Sequence, residues 1–140
     1  MRLSILDQVP LTEHASTAGQ AVSSGLQLAQ DAEALGYHRI WFAEHHHSKS
    51  FASAAPEMMT ALALERTETI RVGTGAILLP YYQAQKVSEA MGLLAAVHPD
   101  RVDIGVGRDK PQAEEQCRAG NDAGALLQQL SGELLWHILH

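Results

Sequence analysis

Ile40-Trp41-Phe42-Ala43-Glu44-His45-His46-His47 decides the fold. Four apolar residues run directly into a carboxylate and three imidazoles, between two stretches of helical pattern. A short run that is apolar on both faces suits a parallel strand covered by helices. Parallel α/β sheets present their chemistry at the carboxyl ends of their strands. The polar half of the stretch therefore falls where a ligand would bind, although a solvated His-rich loop has the same composition.

Upstream, Leu3-Ser4-Ile5-Leu6 predicts a short buried strand ending at Asp7. Val9-Pro10-Leu11 leads away from it, since proline cannot continue a central ladder. Thr17 followed by Gln20 matches a capping box. Val22, Leu26, Ala29, Ala32 and Leu35 then recur at helical spacing as far as Gly36, a stop signal. Downstream, Ser53 precedes Ala54-Ala55-Pro56-Glu57, a helix start with proline and a carboxylate in its first turn. Met59, Leu62 and Ala63 give that helix an inner face, and it runs to about Arg66.

The pattern then predicts a third strand over residues 70–79, ended by Pro80. A helix follows over about 83–97 with Val87, Met91 and Leu94 inward, and a fourth strand over 101–107. The order is βαβαβαβ, a parallel sheet with helical crossovers. Beyond residue 108 the chain turns polar. Leu126, Leu127, Leu130, Leu134, Leu135 and Ile138 then predict a terminal helix softened by Gly132.

The 140 residues, 46% hydrophobic and 19% charged, suit a single domain with its own core. A net charge of -6 with Lys and Arg scattered singly argues against nucleic acid and anionic membranes as partners. The lone Cys117 rules out an internal disulfide or a cysteine zinc cluster and fits a reducing compartment. The first residues lack a signal peptide's apolar core, and no apolar run approaches the ~20 residues of a membrane span. The expected location is cytoplasmic.

The strand ends bring Asp7, Glu44-His45-His46, Gly75-Ala76 and Gly107-Arg108 to one rim. Each has a plainer reading. Glycines in Val72-Gly73-Thr74-Gly75 also relieve crowding between strand and helix, and no GxGxxG fingerprint is present. Arg108 also reads as a surface ion pair worth under ~1 kcal/mol, and Asp7 as a turn cap. His47 is expected to point away from His45. The Glu-His-His-His run lacks the spacing of a metal site, so no metal ligand is assigned.

Leu3-Ser4-Ile5-Leu6-Asp7-Gln8, Leu35-Gly36-Tyr37-His38-Arg39-Ile40-Trp41-Phe42-Ala43-Glu44-His45-His46, residues 70–80 and residues 99–108 together resemble the luciferase-like monooxygenases. The resemblance covers about residues 1–108. It implies a TIM barrel that uses reduced FMN, or in some branches the deazaflavin F420. It also implies O2 and a small organic substrate as reactants, with a flavin reductase supplying the reduced cofactor. On this resemblance Glu44, His45 and His46 are the candidate catalytic residues, His45 being suited to acid–base work because imidazole titrates near neutral pH. Gly75-Ala76 matches a bulge or non-prolyl cis peptide against the flavin ring. Asp7, Gly107 and Arg108 complete the candidate cofactor contacts.

A whole (β/α)8 barrel takes ~250 residues. The expected fold is therefore the N-terminal half of a TIM barrel, about four βα units of parallel sheet, in one partial domain spanning residues 1–140. Residues 1–108 are family-like, and 109–140 form a divergent loop and terminal helix. Open edges at strands one and four and an exposed apolar inner face lead us to expect a homo-oligomer, weak FMN binding and little turnover. Two other readings stand beside this one: a non-catalytic, flavin-binding or self-associating remnant, and a metal-dependent hydrolase built on Glu44 and the histidines.

Overall fold

The computed structural model describes residues 1–108; the polar stretch, Cys117 and the terminal helix read from the sequence lie outside the described residues. Four strands alternate with three helices: β1 Ser4–Asp7, α1 Ala18–Ala34, β2 Arg39–Phe42, α2 Pro56–Arg66, β3 Arg71–Leu78, α3 Ala84–Val97 and β4 Val102–Gly107. A 3-10 turn, Leu79–Tyr81, joins β3 to α3. The strands are all parallel and lie in the order β1-β2-β3-β4. The α/β architecture read from the sequence is the one observed.

Local chemistry sets the element ends. Thr17 and Gln20 form the reciprocal capping box at the start of α1. Its end is a Schellman arrangement. Gly36 takes φ 77°, while the Tyr37 N–H donates to Ala32 O at 2.9 Å and the Gly36 N–H to Glu33 O at 3.0 Å. The Glu33 carboxylate then reaches the connection between α2 and β3. It accepts from the N–H groups of Glu68, Thr69 and Ile70 at 2.6–2.9 Å and from the Thr69 hydroxyl at 3.0 Å.

Alternate residues of each strand face the helices. Ile40, Phe42, Val72 and Ile104 are all but fully buried there, against Leu26 and Ala29 of α1, Met59 and Ala63 of α2, and Val87 and Met91 of α3. Val22 and Leu94 are half-buried against this core, as their spacing requires. Two residues of the expected apolar stripes fall outside it. Leu62 is 42% exposed, because Pro56, Met59, Thr60, Ala63 and Leu64 form the buried stripe of α2 and Leu62 lies off it. Leu35 is 76% exposed, because it is the C-cap residue and has left the helical face.

The other face of the sheet is built differently. Leu6, Trp41 and Gly73 are register partners, and the Trp41 ring lies across β3 where Gly73 has no side chain. A Cβ at Gly73 would come within 2.7 Å of both the Trp41 ring and the Asp103 carbonyl. The glycine thus relieves crowding against a strand neighbour on this face, not against a helix. Below it, the fully buried Asp103 carboxylate accepts from Arg39 Nε at 2.5 Å and from Arg71 Nε and Nη2 at 2.9 and 2.6 Å. Arg39 also lies over the Trp41 ring, 4.9 Å from its centroid. Two guanidiniums sharing one buried carboxylate fix the stagger of β2, β3 and β4.

Candidate active site

The chain bends sharply after β2, and Ser53 holds the bend. Its hydroxyl donates to Ala43 O at 2.6 Å, while the His45 N–H donates to Ser53 O at 2.7 Å. The sequence places the helix start in Ala54-Ala55-Pro56-Glu57, just after Ser53. The helix begins there, at Pro56 with Ala55 at its cap and Glu57 in its first turn, while the Ser53 hydroxyl clamps the strand end and does not cap the helix. The two loops beside this strand end also pair, through Leu11 N–H to Ser50 O at 2.8 Å and Ala52 N–H to Val9 O at 2.9 Å.

Glu44 is the hub of the site. Its side chain is fully buried and accepts three bonds from different parts of the chain. Oε2 takes the Leu78 N–H at 2.8 Å, and Oε1 takes the Tyr82 hydroxyl at 3.0 Å together with Nε2 of His46. A carboxylate so engaged fixes the imidazole's orientation and the ring nitrogen it uses. His46 is held on its face as well, stacked on Tyr81 with centroids 4.1 Å apart. Burial first, and then the negative charge of Glu44, push the Tyr82 phenol far above its ordinary pKa, so it acts as a neutral donor.

His45 lies in a separate stack with Phe51, 4.3 Å between centroids, and its Nε2 is buried with no hydrogen-bond partner. An orphaned ring nitrogen of this kind has capacity for a ligand's polar atom. His47 is exposed and takes a positive φ of 51°, so the chain has left the extended conformation there and strand alternation does not decide its direction.

Beside this cluster β3 is irregular. Thr74 pairs with Ile104 and Ile77 with Val106, so Gly75 and Ala76 together stand opposite Gly105 alone. The Gly75–Ala76 peptide bond is cis. The Thr74 hydroxyl stitches the ladder across this point, donating to Gly105 O at 3.0 Å and accepting from the Gly105 N–H at 3.2 Å. Gly75 lies against Leu6 and Trp41, and Gly107 close to Ala76 and Leu78. The structure therefore brings Glu44 and His46 into one network, which reaches past Gly75-Ala76 to Leu78, and sets Gly107 beside Ala76. Arg108 follows, exposed, at the end of β4.

Asp7 goes elsewhere. It shares strand parity with Ile5 and faces the helix layer, where a Cβ on Gly25 of α1 would meet its Oδ2 at 2.5 Å. Oδ1 accepts from the Val9 N–H at 2.9 Å, and Oδ2 is buried without a partner. Burial raises its pKa, the Val9 hydrogen bond pulling the other way. Asp7 lines a cleft of about 310 Å³ with Thr12, Ser24 and Gln27, apart from the Glu44 network. Sequence reasoning missed Tyr81, Tyr82 and Phe51. The first two follow Pro80 directly at a strand end, so the rim rule contained the signal that would have found them.

Against known proteins, residues 1–131 match the family model for luciferase-like monooxygenases, and the chain belongs to that family. It is 48% identical over 108 residues to YceB of Bacillus subtilis (strain 168), itself uncharacterised, and 43% identical over 108 residues to the N-acetyl-S-alkylcysteine monooxygenase of the same organism. Each alignment covers 77% of this chain and 32% of the relative. The solved structure of apo-MsnO8 superposes with a TM-score of 0.80 at 34% identity, covering 92% of this chain and 40% of that one. The chain thus spans about a third of the length of the curated relatives it matches.

Proposed function

We propose that this chain carries the strand-end catalytic cluster of a flavin-dependent monooxygenase that oxidises a small organic substrate with O2. Family membership supports the reaction class. The observation that carries the site assignment is the buried Glu44 carboxylate, which holds His46 at the strand ends next to the irregular Gly75-Ala76 segment. The orphaned Nε2 of His45 and the apolar groups of Leu6, Trp41 and Leu78 packed beside Gly75 and Gly107 suit a planar ring system with polar edges. Reduced flavin, when bound, supplies the electrons that activate O2.

The chain's own residues divide the remaining work. His45 offers the ring nitrogen that exchanges a proton with the bound cofactor or substrate. His46, oriented by Glu44 and stacked on Tyr81, presents a second imidazole of fixed direction. Glu44 acts through His46 and is a positioning residue. Gly75-Ala76 and Gly107, with Leu6, Trp41 and Leu78 packed beside them, offer the ring an apolar wall, and the Arg108 guanidinium suits the cofactor's phosphate or pyrimidine edge. FMN is the cofactor proposed first, F420 second, with reduced flavin delivered by a separate NADH-dependent reductase. Both Glu44 oxygens already accept from protein donors, three bonds for about four acceptor positions, which favours this reading over a metal-dependent hydrolase.

The test is O2 uptake with FMN, NADH and a flavin reductase, starting with an N-acetyl-S-alkylcysteine as substrate and measuring oxidised product. His45→Ala and His46→Ala are expected to lower product formation by about 10²–10⁴-fold, the usual contribution of general acid–base catalysis. Product formation that survives both substitutions unchanged would overturn the assignment.

A further inference from the structure

Glu57 lies in the first turn of α2, with Oε2 buried and lacking a hydrogen-bond partner. It lines a cavity of about 300 Å³ between α2 and α3, together with Tyr82, Lys86 and the apolar Ile77 and Met91. Tyr82 is the residue whose hydroxyl donates to Glu44. The cavity therefore backs onto the Glu44 network from the helix side, and it is large enough to admit water where polar groups line it.

We propose that Glu57 is a positioning residue for the Glu44–His46 pair: a carboxyl that exchanges its proton through this cavity and so sets the charge next to the pair. Four titratable groups surround it, Tyr82 and Lys86 lining the same cavity and Glu44 and His46 acting on it through their charges. Glu44 comes from the end of β2, His46 from the loop after it, Tyr82 from the segment before α3, and Lys86 from α3 itself. Burial raises the Glu57 pKa; its own helix-end N–H lowers it, the like charge of Glu44 raises it and His46 lowers it again. Neutral Glu57 leaves Glu44 as the single negative charge that orients His46. Ionised Glu57 places a second negative charge beside it. The orientation and charge of the pair then depend on pH through a residue that touches neither substrate nor cofactor.

The inference deepens the proposed function and rests on it only for its consequence in turnover. Its experiment needs no flavin. The side-chain carboxyl carbon of Glu57 is followed by NMR across pH in the full chain labelled with ¹³C-glutamate, and assigned by its loss in Glu57→Gln. The midpoint is expected above that of exposed glutamates. Glu44→Gln should lower it and His46→Gln should raise it, each by about 0.5 pH unit, because one removes a like charge and the other an opposite charge. Unfolding would bring both variants to the same ordinary midpoint, so opposite shifts cannot come from lost structure. A midpoint in the ordinary range, or one that neither variant moves, overturns the inference. Coupling in a chain that oxidises no substrate would count against the proposed function alone, and turnover with an uncoupled Glu57 against this inference alone.

Discussion

Glu44→Ala is expected to destabilise the fold by about 3–5 kcal/mol, against about 1–2 kcal/mol for Glu44→Gln. The difference follows from the three donors that converge on the carboxylate. Alanine leaves the Leu78 N–H and the Tyr82 hydroxyl without an acceptor in a largely buried site. Each such unmade bond costs about 1–3 kcal/mol. The His46 side chain, 22% exposed, recovers part of its bond from water and contributes less. Glutamine keeps one oxygen that accepts from Leu78 or Tyr82 and fills the same volume, so most of the packing survives. Urea unfolding followed by tryptophan fluorescence measures both values, and an unchanged slope confirms that midpoint shifts report stability. A Glu44→Ala variant within about 1 kcal/mol of the parent chain would contradict this, since the three donors would then have found other partners.

Gly73→Ala is expected to cost about 1–3 kcal/mol, because its methyl meets the Asp103 backbone carbonyl and the Trp41 ring, and the carbonyl cannot rotate away; thermal unfolding checks it. Asp7→Asn should stabilise the chain at neutral pH and leave it unchanged in acid. A raised folded-state pKa means that the stability present when Asp7 is protonated is lost as pH rises through that value; urea midpoints at pH 7 and pH 3 decide it. Glu33→Gln should behave in the opposite sense. Burial raises the Glu33 pKa, but hydrogen bonds from Thr69, Ile70 and Glu68 carry it below the ordinary value. Its contribution is therefore present at neutral pH and fades as pH falls through the folded-state value, so the variant's deficit should shrink in acid.

Most of the fold was legible because each element carries its own local signals. Thr17 and Gln20, Gly36, Pro56 and Pro80 mark ends that depend on neighbours a few residues away, and apolar spacing sufficed for the helices' buried stripes apart from Leu35 and Leu62. β1, read as a buried strand, is instead largely exposed, with Leu6 54% accessible on the face away from the helices. The site was legible in place but not in wiring. Glu44, His45 and His46 stand out at a strand end, yet the partners that define Glu44 are Leu78 and Tyr82, 34 and 38 residues further on. No local pattern encodes that meeting; the sheet register creates it. Asp7 is the reverse case. Strand alternation from Ile5 already placed it on the helix face, and only its position at a strand end suggested the rim.

The rim formed by Glu44-His45-His46, Gly75-Ala76 and Gly107-Arg108 is proposed to face the flavin. Titrating the ¹⁵N-labelled chain with FMN and following backbone amide shifts tests it most directly, since weak binding is still visible. The shifts are expected to concentrate at residues 44–47, 75–78 and 107–108, with the cleft around Gly25 and Asp7 unmoved. Shifts gathered in that cleft, or none at any rim residue at millimolar FMN, would contradict it.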